Sequence, residues 1–390
     1  MGTLYTFEDN SAQSANIKVV GVGGGGGNAL NNMIEHRLRG VDFIVANTDS
    51  QAIAHSSADT KIQLGTDLTR GLGAGANPQV GRDAAESERE YLREFFQDTD
   101  MVFITAGMGG GTGTGAAPII AEVASEMGVL TVAVVTKPFN FEGKRRMRQA
   151  EAGIEEMRKH VDTLITIPNQ KLIGAVGKNT SMLEAFRKAD DVLLQAVKGI
   201  SELITHTGYM NVDFADVKAV MCETRGMAMM GSGTGTGENR ACEAAEHAIS
   251  SPLLEDIDIH GAHGILVNVT GNEDMTLAEY DEAVSIIQNM ADEDANIICG
   301  MVYDKDVGDE MRVTVVATGL NTDMTSRITS VPSVSDNSFV LPQATPVQQP
   351  MFVGTEHGQA AAPQPQVVGL DHAYDEDQLA VPTWIRRQAD

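Results

Sequence analysis

The stretch "AGMGGGTGTGAAP", Ala106 to Pro118, sets Thr112 and Thr114 among six glycines. Glycine costs backbone entropy on folding, so a run of this density is kept where bare main chain must approach something closely. Free N–H groups and small hydroxyls at such spacing are ligands for an anion, phosphate above all. Two further runs offer the same chemistry: "GVGGGGGN", Gly21 to Asn28, and "GLGAGANPQVG", Gly71 to Gly81. In the third, Asn77 reads as a helix cap and Pro78 as the first helical residue.

The flanks show what positions these runs. "DMVFITAG" has the length and β-branched content of a buried strand, and "APIIAEVASEMG" has helical spacing, with Pro118 in the first turn and Gly128 at the end. The glycines are therefore expected to fill a strand-to-helix turn, at the positive end of a helix dipole. "IKVVGVGGGGGNAL" repeats the pattern, and "VDFIVANTD", "KIQLG", "LTVAVVT" and "VDTLITIP" continue it, so the first part of the chain predicts an α/β, doubly wound parallel sheet. From Asn179 to Thr207 apolar residues recur in steps of three and four, which predicts one long amphipathic helix. Beyond it come helix patterns at Glu238 to Ile249 and Thr276 to Met290 and strands at "GILVNVT", "NIICGMVY" and "MRVTVVATG", a second α+β unit. "GSGTGTGEN", Gly231 to Asn239, imitates the first stretch in composition and is expected to be a structural turn.

The sequence thus divides into a disordered start (1–16), a phosphate-binding unit (17–178), a central helix (179–208), a second unit (209–319), a disordered linker (320–370) and a terminal peptide (371–390). The linker assignment follows its Pro, Gln, Ser and Thr content, which cannot build a core. The terminal peptide sets Leu379, Val381, Trp384 and Ile385 beside Arg386 and Arg387, the makings of a tethered docking segment.

With 28 basic against 54 acidic residues the net charge is -26, which argues against a general nucleic-acid or anionic-membrane surface. The three cysteines, Cys222, Cys242 and Cys299, lie far apart and form no CxxC pair, as expected in a reducing cytoplasm. No apolar run is long enough for a membrane span, so direct membrane insertion is not expected.

Gly21, Gly23 and Gly26 satisfy the dinucleotide fingerprint, with Asp49 at the next strand end, which favours a nicotinamide or flavin enzyme. Two glycine turns closing on one phosphate chain fit a nucleoside triphosphate better. No G-x-x-x-x-G-K-[ST] occurs, so charge neutralisation falls to backbone N–H groups, Thr112, Thr114 and a bound cation.

The motifs "GVGGGGGNA", "NTD", "GLGAGANP", "GGGTGTG", "TKPFNFEGKRR" and "NVDFADV", in this order, resemble the tubulin/FtsZ family of GTPases from about Ile17 to Gly319, and "VPTWIRRQAD" resembles its terminal partner-binding peptide. The resemblance implies a doubly wound GTP-binding domain, a long central helix, a second α+β domain and a disordered C-terminal tail. It implies GTP or GDP as ligand with Mg2+, leaving open a role for K+. Gly24, Gly25, Gly26, Gly27 and Asn28 with Gly111, Thr112 and Gly113 would bind the phosphates, Glu142 and Arg146 the ribose side, and Phe186 and Asp190 the guanine. A carboxylate at Asp190 can accept from both N1–H and N2–H of guanine, which adenine cannot match. The resemblance further implies a head-to-tail homopolymer of cell division, with Asn211, Asp213 and Asp216 of the next subunit completing the catalytic site. The tail would reach membrane-anchoring and regulatory division proteins at a cytoplasmic mid-cell ring.

Overall fold

The computed structural model describes residues 15–176, 180–205, 212–222, 226–254, 262–292 and 294–320. In chain order the first part runs β1 (Ile17–Val22), α1 (Gly23–Glu35), β2 (Asp42–Asn47), α2 (Ser50–His55), β3 (Thr60–Gln63), α3 (Thr66–Thr69), α4 (Pro78–Glu86), α5 (Arg89–Phe95) and β4 (Met101–Gly107). It continues with α6 (Thr112–Glu126), β5 (Leu130–Lys137), α7 (Lys144–Arg158), β6 (Thr163–Pro168) and α8 (Asn169–Val176). The helix α9 (Met182–Thr205) leads to α10 (Phe214–Cys222), β7 (Gly226–Gly235), α11 (Arg240–Ile249), β8 (Gly264–Gly271), α12 (Leu277–Gln288), β9 (Asn296–Tyr303) and β10 (Met311–Thr318).

The sheet order is β3-β2-β1-β4-β5-β6-β7-β10-β8-β9, and every pairing from β3 to β6 is parallel. The expected doubly wound sheet is present, and alternation along its strands shows why. In β1, Ile17 and Val19 enter a core with Leu30 and Met33 of α1 and Leu193, Val197 and Ile200 of α9. Val20 and Val22 face the other way, into a core with Ala84, Leu92, Ile119 and Ile154 from α4 to α7. Parallel strands buried on both faces need helices on both faces, and the alternating sequence supplies them.

Strand β7 joins the two halves. Its residues 226–228 pair in parallel with β6, and residues 229–235 pair antiparallel with β10. The turn expected at "GSGTGTGEN" is therefore corrected: Gly231, Gly233 and Gly235 lie inside a strand. A Cβ on them would stand 2.1 Å from the Ala248 carbonyl, 2.2 Å from that of Ala244 and 2.2 Å from that of Arg240. Glycines two apart line one face of a strand, and partners about four apart line one face of a helix, so α11 lies flush on β7. Arg240, buried at the start of α11, ties this layer to α12 through Glu279 at 2.6 Å and to Asp309 at 3.1 Å.

The long helix α9 is shorter than expected at its start, beginning at Met182. It packs on the first core, and its Gly199 carbonyl accepts from Asn268 Nδ2 of β8 at 3.0 Å. Among the described residues no helix is long and apolar enough to cross a membrane.

Candidate nucleotide site

After β1 the glycines open α1 at once, at Gly23, whereas after β4 the expected turn is present at Met108 to Gly111 and α6 follows from Thr112, six residues before Pro118. Pro118 sits inside α6. Neither helix start has a capping side chain. By contrast α2 is capped by Asp49 and α4 by Asn77, as the Asn77-Pro78 pair predicts. The first N–H groups of α1 and α6 consequently have no side-chain acceptor, the condition under which a helix start binds an anion.

β1 and β4 are adjacent strands, which brings the two starts together. Gly23, in the left-handed region at φ +73°, lies where a Cβ would meet Gly113 N at 2.8 Å, and a Cβ on Gly26 would meet the Thr105 carbonyl at 2.3 Å. These glycines let α1 settle on β4 and α6. Gly24 differs, because nothing lies within 4 Å of where its Cβ would be. It opens onto a cavity of about 330 Å³ lined by Gly24, Gly25, Asn47, Asp49, Leu72 to Gly75, Gly107, Gly110 to Gly113 and Arg146. A smaller cavity of about 190 Å³ shares Gly24 and Asn47 and adds Gly27, Asn28 and Asn31. All three glycine runs thus meet at one hollow. Gly26, buried against β4, serves the packing of its walls.

The threonines divide. Thr112 Oγ1 is 2.7 Å from Thr48 Oγ1 at the cavity wall, whereas Thr114 is buried and accepts from Gly109 N at 2.8 Å, bracing the loop. Asp49, the acid of the dinucleotide fingerprint, accepts from Gln51 N and Ala52 N and is engaged as a cap.

At the far side Glu142 Oε2 pairs with Arg146 at 3.2 Å, and Glu142 Oε1 accepts from Phe139 N at 2.9 Å. Phe139 and Phe141 stack at 5.1 Å, and Phe186 of α9 stands edge-on to both, at 5.3 and 6.5 Å. Phe139 is buried, while Phe141 and Phe186 keep exposed rings. The aromatic pair in "FNF" was the one signal for this wall, and sequence reasoning passed over it. One turn beyond Phe186, burial and the neighbouring Asp191 push the Asp190 carboxyl up to about 7. Asn32 of α1 donates to Asp191 Oδ1 at 3.0 Å, locking α1 to α9 here. Asn169, at the start of α8 beside Gln170, which accepts from Asn140 N, is buried with an unpartnered Oδ1.

Asp213 and Asp216 are not in this hollow. They are exposed at the start of α10, where Asp213 accepts from Ala215 N at 3.3 Å as a cap. α10 packs on β8 and β9, at the opposite end of the sheet from the glycine runs. From β4 to β8 are five strand spacings, about 24 Å. Asn211 lies outside the described residues.

Phosphate-binding helix starts at the carboxyl ends of adjacent parallel strands, with an aromatic wall and a carboxylate beyond them, define a nucleotide-binding α/β protein. The description "Tubulin/FtsZ family, GTPase domain" matches residues 16–177, and "FtsZ family, C-terminal domain" matches residues 226–321. The cell division protein FtsZ of Pseudomonas aeruginosa is 51% identical over 399 residues, spanning 99% of this chain and 100% of that protein. That of Coxiella burnetii is 58% identical over 317 residues, 81% of this chain and 82% of the other. A solved structure described as an empty FtsZ dimer from M. jannaschii superposes with a TM-score of 0.76 at 49% identity, over 79% of this chain and 89% of that one. CetZ2 from Haloferax volcanii, 18% identical, shares the fold with a TM-score of 0.65 over 79% of this chain and 94% of its own. This chain belongs to the FtsZ family. It is a GTP-binding cell-division protein with a tubulin-type GTPase domain.

Proposed function

We propose that this chain assembles head to tail and cleaves GTP at each junction. The cradle of Gly24 to Asn28 and Gly111 to Gly113 holds the triphosphate, Glu142 and Arg146 face the ribose, Phe186 stacks on the guanine, and ionised Asp190 accepts from its N1–H and N2–H. The observation that carries the reading is the separation of parts. The one carboxylate of the described cavity lining, Asp49, is engaged through Oδ1 as a cap, while Asp213 and Asp216 stand exposed on α10, which packs on β8 and β9 and is no part of that lining. A neighbouring copy can bring them to the γ-phosphate.

Asp213 and Asp216 of that copy, with Asn211 beside them, then orient a water. Its oxygen bonds to the γ-phosphorus and its proton passes to a carboxylate. The bond from that phosphorus to the β–γ bridging oxygen breaks, and GDP leaves with the electron pair. The hard oxygens of Thr112, Asn47 and Asp49 fit Mg2+, which would neutralise phosphate charge, and K+ is a candidate companion. Leu72, 84% exposed at the cavity lip, offers an apolar contact to the neighbour. The M. jannaschii relative described as a dimer supports self-association. A contact between unlike faces propagates without closing, so the product is an open filament. In this reading residues 17–178 bind GTP, the helix α9 links the two parts, 209–319 activate the neighbour, and the peptide at 371–390 binds membrane-anchoring and regulatory proteins at the cytoplasmic mid-cell ring.

Asp213→Ala is the test. Nucleotide affinity should stay unchanged while turnover falls about 100-fold or more, the usual contribution of a positioned acid or base. A rate within a factor of two of the unsubstituted chain would remove Asp213 from the reaction.

A further inference from the structure

The charge of this chain is unevenly placed. Residues 17–178 carry 17 basic and 19 acidic side chains, net -2, and residues 211–320 carry 5 basic and 21 acidic, net -16. Within the first part, "KRRMR" puts four cations into the opening turns of α7. Cations at a helix start oppose the helix dipole, so they are not there for the helix. Arg146 turns to the cavity and to Glu142. Lys144, Arg145 and Arg148 do not. At 100° per residue they form one stripe, opposite the buried face of Ala150, Gly153, Ile154 and Met157. All three are exposed, and among the described residues none makes an ion pair.

We infer that Lys144, Arg145 and Arg148 form a docking surface for the acidic second half of another copy of this chain, steering it onto the mouth of the nucleotide cavity. The inference rests on the head-to-tail reading above and adds what guides the encounter. Charge complementarity selects the occupant. The incoming half, net -16, exposes Asp213 and Asp216 at the start of α10, the end that the head-to-tail reading brings to the cavity. Rim charges of this kind raise association rates far more than they deepen affinity, and salt screens them over about 10 Å at 0.1 M.

The experiment compares the full-length chain with Lys144→Glu/Arg145→Glu and with the milder Lys144→Gln/Arg145→Gln. Light scattering after mixing with saturating GTP and Mg2+ is followed from low to high KCl, with GDP binding measured on each protein to show that the cradle is folded. The unsubstituted chain should assemble more slowly as salt rises. At low salt the Glu variant should be slower by about tenfold or more, the lower end of electrostatic steering. The Gln variant should fall between, and all three should converge at high salt. Variants that bind GDP normally and assemble at the original rate with the original salt dependence would overturn the docking surface alone. An unsubstituted chain that never assembles with GTP would overturn the head-to-tail reading with it. Co-sedimentation with phosphatidylglycerol vesicles that both variants lose, while keeping normal assembly, would reassign the patch to a membrane and refute the inference.

Discussion

Two stretches of this chain look alike in letters, "GGGTGTG" at 109–115 and "GSGTGTG" at 231–237, and their glycines answer different needs. In the first, the chain leaves a parallel strand and enters an uncapped helix beside a second such helix, so part of the bare backbone is left facing a hollow. In the second, glycines at every other position let a helix lie against a strand, and their missing side chains are replaced by the backbone of α11. Composition is therefore a poor guide to a phosphate loop. The informative features are the element that follows, the adjacency of a second loop and whether space remains.

Substitution should separate these two uses. The largest effect is expected at Gly233, where an added Cβ would stand 2.2 Å from the Ala244 carbonyl. Gly233→Ala should cost about 1–3 kcal/mol of stability, as overpacking does, with GDP affinity unchanged at a temperature where the variant is folded. At Gly24 the sign reverses. Open space and a helical position mean that Gly24→Ala should leave stability unchanged or raise it by up to about 1 kcal/mol, while nucleotide affinity falls. Melting curves and GDP titrations on the same two proteins read both quantities. A melting loss at Gly24 or an affinity loss at Gly233 would erase the distinction.

A smaller effect sharpens the guanine end of the first region. In the proposed reading guanine recognition needs ionised Asp190, whose carboxyl is pushed up to about 7 by burial and by Asp191. GDP affinity should therefore drop as pH falls through 7, by about tenfold between pH 8 and pH 6, as the ionised fraction declines. Without nucleotide the sign is opposite. The folded chain holds this proton more tightly than the unfolded one, so the stability Asp190 contributes is fully present below the ordinary value of 3.8 and is lost progressively as pH rises to about 7. Asp190→Asn should flatten the affinity profile; a profile as steep as before would assign the titration to another group.

Much of this was legible in the sequence. The order of strands and helices, the Asn77-Pro78 cap and the meeting of three glycine runs follow from periodicity and local chemistry. The starts of α1 and α6 were not, because a helix normally announces itself with a capping side chain and these two leave that place open. Strand β7 was missed because glycine is a poor strand former, and the α11 backbone that accommodates Gly231, Gly233 and Gly235 is invisible until the chain is folded. The three-phenylalanine corner also escaped notice, since Phe139 and Phe141 come from one segment and Phe186 from another more than forty positions later. Spacing along the chain carries no record of such a meeting.

The most direct measurement is the GTPase rate per subunit against protein concentration. Dilute chains should be nearly inactive, and the rate per subunit should climb steeply once copies associate and then level off, because in the proposed reading each cradle borrows carboxylates from its neighbour. A rate per subunit that is constant from strictly monomeric to assembled protein would contradict the shared site.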